Sequence, residues 1–183
     1  MSDILNLIKE RTSVRCFKNE AVKEEDVKAI AEAAIWAPNA MNKQGWHFSV
    51  VKSPELIEKM SQGAKKGMLE SPVEFLQKKA AADDFHAFFH APLVVVITRE
   101  EEKFTFFDCG AAAENICLAA KGLGYDSCIT ASTEFMFMGD PELYKVLEVP
   151  EGYKFTCAIP IGIKQDAPDD HVRARNTEAI SYL

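Results

Sequence analysis

The run Leu93-Val94-Val95-Val96-Ile97-Thr98 limits the fold more than any other stretch of this chain. It is rich in β-branched residues that do not alternate with polar ones, so neither face of the strand they form suits water. Such a strand belongs in the middle of a sheet, with apolar layers on both sides. Pro92 introduces it, and the rest of the chain has to supply the layers.

Several segments carry the apolar spacing of helices. Val27, Ile30, Ala31, Ala34 and Ile35 fall at i, i+3, i+4, i+7 and i+8. Near the N-terminus, Ser2 is placed to cap a helix whose apolar face is Ile4, Leu5, Leu7 and Ile8. Ser53-Pro54 reads as a cap and first helical position, leading through Leu56, Ile57 and Met60. The longest helix is expected from Phe104 through Lys121. Its Gly110, Ala111, Ala112, Ala113, Ala119 and Ala120 would let another helix or a symmetry mate come close, so it is either a core helix or the centre of a dimer interface. A short helix is expected after Asp140-Pro141, through Leu147, and a turn at Pro150–Tyr153.

Further strands are expected at Trp46–Val51, at Asp126–Ala131 and at Lys154–Ile163. Pro160 and Gly162 place the last at an edge or an irregular part of the sheet. Gly122-Leu123-Gly124 follows a helix and opens a strand, the reverse of a dinucleotide-binding loop, and so reads as a helix C-cap.

Two polar stretches interrupt this apolar frame. In the extended segment Arg11-Thr12-Ser13-Val14-Arg15, alternation puts Arg11, Ser13 and Arg15 on one face, where two guanidinium groups and a hydroxyl converge on one anion; the plainer alternative is a solvated basic strand. Between the second helix and Trp46, Pro38 ends the helix, and Asn39, Asn42, Lys43, Gln44 and Gly45 form an elbow rich in donors and acceptors. That elbow suits a flat, polar, heteroaromatic ligand. Arg173 and Arg175 repeat the paired-arginine pattern beyond an acidic loop, Asp166–Asp170, whose charge they otherwise balance.

R-T-S-V-R at Arg11–Arg15, A-P-N-A-M-N-K-Q-G-W at Ala37–Trp46 and the C-terminal I-P-I-G together resemble the nitroreductase family of flavoproteins, in the right order and over nearly the whole length. Gly45 stands where proline is usual in the family, which frees the backbone before Trp46. The resemblance implies an α+β fold, an α/β/α sandwich whose mostly antiparallel central sheet is flanked by helices, with a long central helix at a dimer interface. It implies non-covalent FMN, with phosphate and ribityl chain held by Arg11, Thr12, Ser13 and Arg15 and a second phosphate contact from Arg173 and Arg175. Pro38, Asn39, Ala40, Asn42 and Gln44 would meet the polar edge of the ring, and Cys128, Ile129 and Thr130 would lie against it. The two sets of residues come from different subunits, so a homodimer is implied.

The activity implied is ping-pong transfer of a hydride from NADH or NADPH through FMN to a small electron acceptor: a nitroaromatic, a quinone or an activated alkene. The other readings are a dehalogenating or flavin-reducing enzyme on the same fold, and a non-enzymatic flavin-binding dimer. FMN carries the chemistry, and no catalytic side chain is assigned. A catalytic role for Cys128 lacks a base partner.

Among 183 residues, 48% are hydrophobic, enough for one domain spanning residues 1–183. A net charge of −7 argues against nucleic acid and against an anionic membrane surface as partners. Without a leader-like segment or a membrane-length apolar run the expectation is a cytoplasmic protein, and five cysteines at unpatterned spacing point to reduced thiols rather than disulfides or zinc. His86 and His90 are four apart, but H-A-F-F-H lacks the glutamate of the zinc motif, so surface or pocket-lining histidines are the simpler reading. No serine elbow or phosphate-binding loop is present for hydrolase or phosphoryl-transfer chemistry. Residues 62–90, with Phe75, Phe85, Phe88 and Phe89 among paired lysines, are expected to form helical pieces over a cleft and to offer substrate contacts.

Overall fold

The structure, a computed structural model, describes residues 3–165 and 174–183. Four strands, β1 (Trp46–Val51), β2 (Leu93–Arg99), β3 (Asp126–Ser127) and β4 (Lys154–Gly162), form one antiparallel sheet in the order β1-β2-β4-β3. Residues Leu93 through Thr98 are all buried, as a central strand with two apolar faces demands. Leu93, Val95 and Ile97 face one layer, packed with α2 (Glu24–Ile35) and α5 (Thr105–Gly122). Val94 and Val96 face the other, packed with α3 (Pro54–Leu69), α6 (Phe135–Gly139) and α7 (Leu143–Val146). Each of these side chains contributes about 1.5–3 kcal/mol by burial, and this strand therefore ties both layers together.

Local chemistry sets the helix ends. Ser53 accepts the Leu56 N–H at 3.1 Å and Pro54 follows at the first helical position. Gly124, at φ +88°, closes α5 in the left-handed conformation that glycine adopts without penalty. α3 runs well beyond Met60, to Leu69, because α6 lies directly on its glycines. A Cβ on Gly67 would sit 2.2 Å from the Phe135 carbonyl oxygen, and one on Gly139 2.0 Å from that of Gly63. α6 itself has no signature in the sequence.

One expectation is corrected and two are narrowed. Of the two places expected for β4, an edge or an irregular part of the sheet, it takes the second, its register against β2 shifting between Ile97 and Thr98. It lies between β2 and β3, and the Pro160 carbonyl, which projects to the same side of the strand as its missing N–H, accepts from Cys128 just past the end of β3. The strand expected over Asp126–Ala131 is only two residues long, followed by an isolated bridge between Thr130 and Ala158 and a 3-10 turn at Ser132–Glu134. α5 is a core helix, the first of the two roles expected of it: Ala112, Ala113 and Ala120 are buried against the sheet and α2, where Asn115 donates to the Ala33 carbonyl at 3.1 Å. The exposed face of α5 instead carries Phe106, Phe107 and Gly110.

α1 (Asp3–Glu10) buries no residue, and its Ile4, Leu5 and Ile8 are exposed. Ile35, read as part of the buried face of α2, is also exposed, together with Trp36. No helix among the described residues is long and apolar enough to cross a membrane.

Candidate functional site

The basic segment leaves α1 at Arg11 and runs extended beside β3. Val14 donates to the Ser127 carbonyl at 3.0 Å, and Ser13 pairs in parallel with Ser127. Val14 and Phe17 are buried with Ala91, while Ser13 and Arg15 are exposed. Arg11 turns toward α5, where its Nε lies 3.1 Å from Glu114 Oε1. Thr12 is half-buried between them. Among the described residues, Arg15 is held by a 3.5 Å contact from its guanidinium to the Ser13 carbonyl, at the limit of hydrogen bonding.

Cys128, Ile129 and Thr130 follow directly. Cys128 donates its N–H to Pro160 at 3.2 Å, Thr130 and Ala158 exchange backbone hydrogen bonds at 2.9 Å, and Ile129 points outward, 41% exposed. Burial pushes the Cys128 thiol pKa up, against the opposing influence of Arg15, a hydrogen bond with Ser13, and the charges of Arg11 and Lys79. Burial thus works against the thiolate that a nucleophilic cysteine needs. The thiol's surroundings also show that three cations gather around Ser13 and Cys128 in an otherwise acidic protein. Lys79, in the last turn of α4 (Glu74–Ala80), was not among the anion contacts that the sequence suggests; only the folding of α4 against this segment brings it there.

At the elbow, Pro38 and the following residues enter a 3-10 turn at Ala40–Asn42. Met41 (φ 55°), Asn42 (φ 53°) and Gln44 (φ 52°) all occupy the left-handed region. For Met41 and Gln44 this costs about 1–3 kcal/mol each, strain that the surroundings must hold in place. Asp108 of α5 does so from below, accepting the Ala40 N–H with both carboxylate oxygens at 3.2 and 3.3 Å. Asn39 Oδ1 accepts the Gln44 N–H at 3.0 Å and closes the loop. Gly45 is not at positive φ. A side chain there would come within 3.0 Å of the Glu100 carboxylate and 3.2 Å of Thr105 Cγ2, contacts that Glu100 would have to give way to admit. Gln44 Nε2 donates to Asn42 Oδ1 at 3.3 Å, and both side chains are exposed.

The sequence profile of the Nitroreductase family matches residues 8–163. A protein of Archaeoglobus fulgidus named as an NADH dehydrogenase/NAD(P)H nitroreductase is 31% identical over 176 residues, covering 92% of this chain and 90% of its own. The chain belongs to the nitroreductase family. The nitroreductase of Bacteroides fragilis, solved with bound FMN, superposes with a TM-score of 0.92 at 27% identity, covering all of both chains. The nitroreductase of Desulfitobacterium hafniense, also with bound FMN, gives 0.90 at 31% identity, over 100% of this chain and 99% of that one.

In this nitroreductase the residues present suit a flavin mononucleotide. Arg15, Lys79 and the exposed Ser13 hydroxyl form a cationic, hydrogen-bonding patch of the kind a phosphate requires. The exposed amides of Asn42 and Gln44 offer both donors and acceptors, the kind of groups that a ring edge with alternating carbonyl and N–H groups needs. Arg173 lies outside the described residues. Arg175 is exposed and already engaged, so it is not a free cation.

The chain places the arginine segment and the elbow at separate points on α5. Arg11 meets it at Glu114 and Ala40 meets it at Asp108, six residues and about 9 Å along the axis and about 120° around it.

Beyond Arg15 a cavity of about 650 Å3 runs between residues 15–19 and the turn at 82–90. Phe85, Phe89 and His90 line it, with Ser132 and Thr133 at the flank. Of the aromatics expected over a cleft, Phe88 is instead fully buried and Phe75 is exposed. His86 and His90 do not share a helix; their rings lie 4.1 Å apart, and His86 Nδ1 accepts the N–H groups of Phe88 and His90. No group of three potential metal ligands occurs among the described residues.

Proposed function

We propose that this chain is an NAD(P)H-dependent, FMN-binding oxidoreductase that works as a homodimer by alternating half-reactions in one slot. The observation that carries it is the anchoring of both halves of the site on α5, on faces about 120° apart. A partner's elbow, in this reading, closes over the first chain's arginine segment. Bound FMN supplies a carrier that accepts hydride from a reduced nicotinamide and delivers it to a nitroaromatic, quinone or activated alkene.

The chain's own residues position and exclude. Arg15, with Lys79 and the Ser13 hydroxyl, holds the phosphate, and Arg11, paired with Glu114, adds positive potential behind it. Backbone at Cys128–Thr130 is fixed to β4 and forms a rigid wall, with Ile129 as its exposed apolar member. Asn42 and Gln44 orient the ring edge. Arg173 and Arg175 are second candidates for the phosphate. Asp108, the buried acid at the elbow, is engaged by the Ala40 N–H with both oxygens, and solvent delivers the proton in this reading.

The same reading accounts for the exposed apolar residues around the elbow. Trp36, Met41, Phe106 and Phe107 stand in water in the single chain, and each gains about 1.5–3 kcal/mol when covered. Analytical ultracentrifugation with flavin quantitation tests the proposal. It predicts a dimer carrying one FMN per chain; a monomer that retains FMN would overturn the shared-site reading.

A further inference from the structure

The turn at residues 86–91 is strained, and one side chain holds it. Phe89 and His90 follow one another at φ 56°, the left-handed region that residues with a Cβ enter at a cost. Such strain persists only where the surroundings impose it, and it collects where ligands are gripped. Here His86 Nδ1 accepts the Phe88 N–H at 3.2 Å and the His90 N–H at 3.1 Å, closing the turn from inside. A ring nitrogen that accepts carries no proton, so the neutral imidazole bears its proton on Nε2, 3.5 Å from Glu58 Oε2 of α3. Ser61 of α3 accepts the Ala87 N–H at 3.0 Å, and the Phe88 ring is fully buried. The base of the turn is thereby fixed to the fold.

Its outer half is not fixed by packing. Phe17, Asn19, His86 and His90 line the cavity of about 650 Å3 and also a second one of about 460 Å3. The His86 and His90 rings, 4.1 Å apart between centroids, are thus flanked by open space rather than set in packed core. Hydrogen bonds to His86 therefore decide where the following rings stand. Phe89 and His90 both line the larger cavity, to which Arg15 also belongs.

We infer that His86 is a positioning residue: its unprotonated Nδ1 holds Phe89 and His90 as an aromatic wall on which a flat electron acceptor rests. The inference rests on the FMN-dependent activity proposed above. It asks nothing of Arg15 or Lys79, which stay with the flavin phosphate; the acceptor needs only the rings. His86 acts through the turn and not on the reacting atoms.

The test measures turnover of the FMN-loaded enzyme at saturating NADH with two acceptors. 1,4-Naphthoquinone is flat, and takes a hydride from the reduced flavin and a proton from solvent. Ferricyanide is octahedral and has no face to stack; two ions take one electron each. His86→Ala removes the acceptor of both N–H groups, and kcat/KM for naphthoquinone is expected to fall about tenfold, through KM, with ferricyanide turnover and FMN affinity unchanged. His86→Asn places a carbonyl oxygen as many bonds from the backbone as Nδ1 and should recover most of the loss. Phe89→Asn and His90→Asn keep the turn, since asparagine tolerates positive φ, and each should cost about two- to tenfold with naphthoquinone alone. These two variants decide the matter if His86→Ala does not fold. Equal losses with both acceptors, or no loss, would overturn the inference. Weakened FMN binding would overturn it too, by putting the wall against the cofactor. A wild type that binds FMN yet reduces neither acceptor refutes the proposed activity itself, and the inference with it.

Discussion

Asp108 accepts the Ala40 N–H with both carboxylate oxygens, at 3.2 and 3.3 Å, and so fastens the strained elbow to the long helix. The carboxylate is nearly buried, and this bond is what it does there. A charge-assisted hydrogen bond of this kind is worth about 1.5–3 kcal/mol. Asp108→Ala is therefore expected to weaken FMN binding about tenfold or more by releasing the elbow, with Asp108→Asn, which keeps an acceptor, retaining most of the affinity. Fluorescence titration measures both. Unchanged affinity in Asp108→Ala would show that the elbow does not touch the flavin.

Arg15 and Arg11 are predicted to differ. Among the described residues, Arg15 has only a 3.5 Å intramolecular contact, whereas Arg11 is paired with Glu114. Arg15→Ala should fold normally and lose about 10–100-fold in FMN affinity, with Arg15→Lys recovering part. Full FMN retention by purified Arg15→Ala would contradict the phosphate assignment.

Acid should destabilise the fold through His86. Burial, and then the neighbouring His90, depress its pKa from 6.5 to about 4, against the opposing pull of Glu58. The unfolded chain thus binds a proton that the folded chain refuses between these values, and stability falls as pH drops from 6.5 toward 4. The loss is at most about 3 kcal/mol. Urea unfolding across this window should show the slope in the wild type and a shallower one in His86→Asn; equal slopes would place the acid sensitivity elsewhere.

Phe107→Asp and Ala112→Asp should separate association from folding. Phe107 is 77% exposed, and a charge there leaves the monomer intact while opposing burial in a dimer. Ala112 is fully buried in the chain's own core, where an unpaired carboxylate has no partner. Sedimentation and circular dichroism are expected to show a folded, flavin-poor monomer for the first and loss of structure for the second. A flavin-loaded dimer of Phe107→Asp would remove α5's exposed end from the interface.

How much the sequence disclosed depends on how local the cause was. The unbroken apolar run of β2, the Ser53-Pro54 cap and the Gly124 terminator are written in neighbouring residues, and all appear where the pattern puts them. α6 and the full length of α3 arise from two backbones meeting at Gly63, Gly67 and Gly139, which no single-segment periodicity reveals. At the site, Ser13 and Arg15 are exposed on either side of the buried Val14, but Arg11, expected on the same face, turns to Glu114, and Phe17 is buried although it shares their parity. Glu114, Asp108 and Lys79 come from distant helices, and their contributions emerge only when those helices pack.

The absorption spectrum of the purified protein, followed by anaerobic addition of NADH and then NADPH, tests the central claim most directly. A flavin spectrum that bleaches with one or both nucleotides is the predicted result. A protein that is colourless as purified and takes up no added FMN would contradict the account, and the cations around Ser13 would then have to serve another anion.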